Sequence, residues 1–163
     1  MRLCFKLGLY RQGIMHDMSK YSPREFLSGV RYFDGSKSPN TVERQLTGLS
    51  TAWLHHKGRN RHHFEYWVDY GQKSGAPMEG MKMPVRYVAE MFCDRVAACK
   101  TYYPDTYDQS YPFKYFMKNR KHYMIHPDTE RLLGKLLLML KLYGEEDTLR
   151  YIRERILKNG NKY

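Results

Sequence analysis

Apolar residues recur along this chain at helical spacing, and hardly any stretch alternates as a strand would. From Arg2 to about Met18, the positions of Leu3, Phe5, Leu7, Tyr10 and Ile14 predict an amphipathic helix, weakened by Gly8 and Gly13, with His16 and Asp17 at its end. Ser22-Pro23-Arg24-Glu25 predicts the next start: Ser22 caps, Pro23 suits the first helical position, and Glu25 completes a capping box. That helix runs to about Phe33. The turn DGSKSPN follows, and then a helix from near Thr41 that delivers His55 and His56 at its end, before Gly58.

From Pro84, the spacing of Val85, Val88, Phe92, Val96 and Cys99 predicts a strong helix with one buried face. Asp94 lies off that stripe, and its helical neighbours are Glu90, Ala97 and Ala98; the two alanines leave room beside the carboxylate. The segment GQKSGAPMEGMKM before Pro84 reads as an exposed loop, either a lid or an ordinary connector. After a Tyr- and Pro-rich connector, Lys114 to His122 predicts a basic helix. His126-Pro127-Asp128 opens a helix containing Leu132, Leu133, Leu136, Leu137 and Leu140 that Gly144 closes, and a last helix carries Leu149, Ile152 and Ile156. The fold class expected is therefore all-α, and 163 residues are most simply one domain.

Charge changes the picture of possible partners. With 28 basic and 17 acidic residues the net charge is +11, which favours anions: phosphorylated metabolites, nucleotides or nucleic acid. The three cysteines, Cys4, Cys93 and Cys99, have neither a disulfide pattern nor metal-binding spacing and read as reduced, mostly buried thiols. The longest apolar run, Leu136 to Leu140, is too short to cross a bilayer, and MRLCFKLGLYRQ lacks the features of a signal peptide. A cytoplasmic protein with no membrane partner is the expectation.

The chemistry concentrates in histidine. His55, His56, His62 and His63 fall within nine residues, in WLHHKGRNRHHFEYW, and His16-Asp17 lies upstream. Imidazole is the commonest protein ligand of transition metals. The alternative is a solvated basic loop around Arg59 and Arg61. Against it stands the apolar framing by Trp53, Leu54, Phe64, Tyr66 and Trp67, which should bring the rings close to a packed interior. On a continuous helix seven residues span roughly 10 Å, too far for both pairs to serve one ion, so either Gly58 and Asn60 bend the chain or the pairs have different roles. A mixed nitrogen and carboxylate set suits one or two ions of iron, manganese, zinc, cobalt or nickel better than calcium.

HDxxK at His16, Asp17 and Lys20, separated histidines, and a helix reading CDRVAACKTY resemble the HD-domain superfamily of metal-dependent phosphohydrolases, whose closing aspartate often stands in an ADR context. More closely, GLYRQGIMHDMSKYSPREF, AWLHHKGRNRHHFEYW and KMPVRYVAEMFCD are similar to a family of uncharacterised, HD-like bacterial and phage proteins, over roughly residues 7 to 103. The resemblance implies an HD-domain-like helical bundle with His16, Asp17 and Asp94 as metal ligands and Lys20 near a substrate phosphate. His56 and His62 are the preferred further ligands, while His55 and His63 bind a second ion or act as acid and base. HD proteins usually carry one more histidine on the preceding helix, and none precedes His16 here. Either the chain starts late, or water, another ligand or an oligomeric partner fills that position.

Three functions are compatible with these residues. The first is hydrolysis of a nucleotide or other phosphoester by a metal-activated water. In it, Lys20, Arg59, Arg61 and Arg95 offset phosphate charge, and Glu65 moves a proton or orients a histidine. The second is di-iron oxygenation on the same scaffold. The third is non-catalytic nucleic-acid binding through the positive charge.

Overall fold

The computed structural model describes residues 1–71 and 75–160. Eight helices are joined by short turns, and a single β-hairpin interrupts them among the described residues. The fold is all-α, as the periodicity predicts.

Where the sequence reads as one helix, glycine often divides it in two. Gly8, at φ +76°, separates α1 (Arg2–Lys6) from α2 (Tyr10–Met15). Gly48, at φ +84°, separates α4 (Pro39–Thr47) from α5 (Thr51–Lys57). A left-handed residue costs glycine little and stops the helical ladder, so the chain reverses there. Between these pairs lies α3 (Pro23–Arg31), which Ser22 caps by accepting from the Glu25 amide. The predicted loop before Pro84 contains a strand: β1 (Val68–Tyr70) pairs antiparallel with β2 (Met78–Gly80), Val68 opposite Gly80. Residues 72–74 of that segment lie outside the described residues. Gly80 sits against the backbone of Ile125 and His126, so the hairpin is docked on the C-terminal half.

The long helices α6 (Val85–Tyr102) and α8 (Pro127–Tyr151) form the interior, with α7 (Tyr111–Asn119) and α1 packed on them. Val88, Phe92 and Val96 from α6 meet Leu133, Leu136, Leu137 and Leu140 from α8, all fully buried. At Gly144 the backbone leaves helical geometry (φ 84°, ψ 175°), which realises the predicted closure, and the helix resumes into a wider turn at Ile152–Ile156. Cys4, Cys93 and Cys99 are free and buried.

Residues 10–63 contribute nothing to this hydrophobic cluster. Apart from Gly13 and Ala52, what they bury is polar: Glu25, Glu43, Ser50, His56, Asn60 and His62. Burying such groups is favourable only when each is hydrogen-bonded or paired. This half of the molecule is therefore organised by polar contacts rather than by oil.

Candidate metal centre

Backbone geometry at the end of α2 decides how two adjacent side chains reach one point. His16 is extended (φ −56°, ψ 123°), and Asp17 is left-handed at φ 59°, the only non-glycine residue with positive φ among those described. Aspartate tolerates that conformation better than most residues, and such strain tends to be kept at functional sites. As a result His16 and Asp17 converge instead of diverging as they would on a helix, with His16 Nε2 3.5 Å from Asp17 Oδ2.

The histidine-rich segment bends as the spacing requires. After α5 ends, the amides of Arg59 and Asn60 both donate to the His56 carbonyl, and the Asn60 side chain donates to that carbonyl and to Ser19 Oγ. His62 thereby returns to the level of His56. Their Nε2 atoms lie 3.4 and 3.3 Å from the same oxygen, Asp17 Oδ1. Asp94, from α6, places Oδ1 3.4 Å from His16 Nε2. Asp17, His56, His62 and His63 form one group able to hold a metal ion, and His16, Asp17 and Asp94 form another; Asp17 belongs to both.

Behind the rings stand carboxylates. Glu90 Oε1 lies 3.0 Å from His16 Nδ1 and 3.3 Å from His62 Nδ1, while Glu25 Oε2 lies 2.8 Å from His56 Nδ1. Nδ1–H donation to a carboxylate turns Nε2 inward as a lone-pair donor and raises its basicity, the usual support of a metal-bound histidine. His16, His62 and Glu90 are also close enough to form a metal-holding group on the Nδ1 side. The unsatisfied atoms favour the Nε2 side: Asp17 Oδ1 and His62 Nε2 are both buried without a hydrogen-bond partner. Buried polar atoms left unpaired are expensive, and these two face one another. Ligand atoms about 2.1 Å from a tetrahedral ion stand about 3.4 Å apart, so the donor set fits a metal in type and in spacing.

The electrostatics agree. Burial opposes a charge on His16, but Asp94, Glu90 and Asp17 outweigh it and raise its pKa to about 10. Burial likewise opposes the raising of His56 by Asp17 and Glu25. Against their own burial, Asp17 is held far below the usual carboxylate range by His56, His16 and Lys20, and Glu90 is held at about 2 by His16, His62 and Gln12. His63 has no such support: burial, and then His62 and His56, push it down to about 3. Without an ion, protons on His16 and His56 compensate buried negative charge that a divalent cation would compensate better.

The structure thus brings together His16, Asp17, His56, His62, His63 and Asp94, all expected from the sequence. Lys20 Nζ donates to Asp17 Oδ2 at 2.6 Å. His55 turns away from the cluster to the other oxygen of Glu25, at 2.6 Å. Among the described residues, the side chains of the remaining expected site residues make no hydrogen bond or ion pair with the cluster. Arg59 is exposed, Arg61 lies over the Tyr66 and Tyr87 rings, and Arg95 lies over Phe116 and Tyr123. Glu65 Oε2 is buried without a partner. Of the apolar frame, Trp53 stacks on His56 at 5.6 Å and Phe64 is buried, whereas Leu54 and Tyr66 face outward. With His56 and His62 4% and 2% exposed, a solvated basic loop is ruled out.

The supporting residues are hardly legible in the sequence. Glu25 reads there as part of a capping box, and only its amide takes part in that cap. Glu90 reads as a helical neighbour of Asp94, and the spacing of four is the one signal that it shares that side of α6. Gln12, which donates to Glu90 Oε2 at 2.5 Å, left no signal at all.

Residues 1–139 match the Family of unknown function (DUF5662). The chain belongs to that family. No curated protein and no solved structure matches it.

Proposed function

We propose that this member of DUF5662 is a metal-dependent phosphohydrolase of HD type, acting on a nucleotide or another phosphorylated small molecule. The observation that carries the reading is the facing pair of buried, unpartnered atoms, Asp17 Oδ1 and His62 Nε2, with carboxylates on the far side of the rings. His16, Asp17, His56, His62 and Asp94 would hold the metal, which is manganese, iron, zinc, cobalt or nickel given the mixed nitrogen and oxygen donors. An ion there supplies Lewis acidity to a phosphoryl oxygen and makes hydroxide accessible near neutral pH.

The chain's own residues divide the remaining work. His63 stays neutral beside these ligands and does not serve as the general base, because burial, His62 and His56 push it down to about 3. Lys20 is the phosphate-binding cation: its side chain is 62% exposed, so the ammonium can exchange Asp17 for a substrate oxygen. Glu25 and Glu90 keep the imidazoles oriented, and His55 braces Glu25. Arg61 and Arg95, packed on aromatic rings, stay outside the reaction.

Metal analysis of protein purified without added ions tests the site, and phosphate release from a nucleotide panel tests the reaction. Wild type should carry metal and release phosphate, and His16→Ala and Asp94→Ala should lose both. Equal metal content in all three proteins would sink the assignment. Because Asp17 belongs to two ligand groups, a second reading is favoured too: two irons and oxygenation. Iron-dependent oxygen uptake without phosphate release would select it. Salt-sensitive nucleic-acid binding that survives His16→Ala, with no turnover, would instead mark a binding module.

A further inference from the structure

Helix α3 is amphipathic with its faces reversed. At about 100° per residue, Phe26, Leu27 and Val30 fall within one third of the helix circumference, while Glu25 and Ser28 lie opposite. The polar side points inward: Glu25 holds His55 and His56, and Ser28 donates to Glu43. The apolar side points out, with Phe26, Leu27 and Val30 56%, 63% and 65% exposed. Tyr21 before the helix and Phe33 after it extend the stripe, at 76% and 73%. A shallow groove of about 470 Å³ between α3 and α4 continues it to Leu49. An apolar surface of this extent is uncommon on a protein that stays alone in water.

The charges around the stripe have one sign. Arg24 and Arg31 on the helix, and Lys37 and Arg44 after it, are all exposed. Of the acids in the same stretch, Glu25 and Glu43 are buried and Asp17 faces the histidines. Asp34 alone is outward, and its Oδ1 accepts from the Ser36 and Lys37 amides. Pairing this face with a second copy would bring the two basic rims together. Nucleic acid would match the charge but make no use of an aliphatic and phenylalanine stripe. We infer that the outward face of α3 docks on an anionic lipid surface, with Phe26, Leu27, Val30 and Phe33 entering the interface and Arg24 and Arg31 meeting the headgroups. A helix of nine residues cannot span a bilayer, and none among the described residues is long and apolar enough to do so. It lies in the interface plane, as basic amphipathic helices do.

This inference is independent of the metal-centre reading, because it concerns the other face of the helix. Sedimentation of the full chain with vesicles of phosphatidylcholine and phosphatidylglycerol in equal parts tests it, with pure phosphatidylcholine as the control. Wild type should partition into the anionic vesicles at least about tenfold better than into the neutral ones, and less so as salt rises. Phe26→Asp with Val30→Asp should lose about tenfold or more while metal content and melting temperature stay unchanged. Should that pair fail to fold, Arg24→Glu with Arg31→Glu removes the headgroup contact, gives up only the contact of Arg31 with the Tyr32 ring, and should lose binding comparably. The inference is overturned if wild type does not sediment with anionic vesicles or if the folded variants sediment as wild type does. It is also overturned if wild type is a dimer in solution that Val30→Asp separates.

Discussion

Glu90→Gln isolates the contribution of the carboxylate behind the metal centre, because the substitution keeps the side chain's size and removes its charge. Glu90 is 5% exposed and accepts from His16 Nδ1, His62 Nδ1 and Gln12 Nε2, so it aims two of the proposed ligands at once. Loss of one such partner typically costs about 10- to 100-fold in metal affinity. With two imidazoles sharing one carboxylate, about 100-fold is expected, about 2.8 kcal/mol at 1.4 kcal/mol per decade. Both rings meet Glu90 Oε1 and Gln12 donates to Oε2, so a glutamine that keeps its oxygen toward the rings sets its NH2 against the Gln12 donor, and one that flips sets its NH2 against both Nδ1 atoms and favours the wrong tautomer there. Competition against a chromophoric chelator with zinc or manganese reads the affinity, and melting in excess chelator separates it from any loss of fold. Wild-type affinity in a folded Glu90→Gln protein would refute the view that the Nδ1 side is support and the Nε2 side is the metal side.

Four further outcomes follow from the same geometry. Because the neighbouring carboxylates raise His16 to about 10, and raise His56 too, an ion must displace their protons; the apparent metal affinity should fall at least about tenfold per pH unit between pH 8 and 6, and a flat profile would exclude His16 as a ligand. Since residues 10–63 bury polar groups rather than oil, chelation should speed amide exchange in α2 to α5 far more than in α6 and α8; at 100 times its Kd an ion adds about 2.7 kcal/mol. Glu43 is buried and accepts from Ser28, Ser50 and Thr51, which against burial hold its carboxyl below the usual value of 4.5. Its stabilisation is therefore complete above that pH and is lost as pH falls through the lower folded value. Glu43→Gln should cost about 2 kcal/mol at pH 7, or about 4–8 °C in melting temperature, and flatten the acid limb of the stability profile. Finally, a Cβ on Gly80 would stand 2.6 Å from the His126 amide nitrogen; Gly80→Ala should lower stability by about 1–3 kcal/mol in chemical denaturation, and no change would mean that the hairpin is not docked there.

What could be read in the chain without coordinates is whatever local spacing controls. The periodicity of Val85 to Cys99 and of Leu132 to Leu140 announced the two helices that make the core, because a buried stripe at spacings of three and four has few other uses. The incompatibility of two histidine pairs with one straight helix left a bend at Gly58 and Asn60 or separate roles for the pairs, and the structure takes the bend. Divisions at Gly8 and Gly48 were less legible, since a glycine within a helical pattern only weakens the helix until the chain beyond it finds a different place to pack. The hairpin was illegible because three-residue strands carry too little alternation to register.

Composition and short-range pattern thus determined the helical class and the two core helices, and with the family resemblance they supplied the candidate metal ligands. Tertiary structure alone decided which of them meet. It turned His55 to Glu25 and His56 to Asp17, committed Arg61 and Arg95 to aromatic rings, recruited Glu25 and Glu90 from elements 65 residues apart, and set the apolar side of α3 outward. The physical reason is that a side chain's type and helical phase depend on its near neighbours, whereas its partner across space depends on how separate helices pack, and no spacing along the chain encodes that distance.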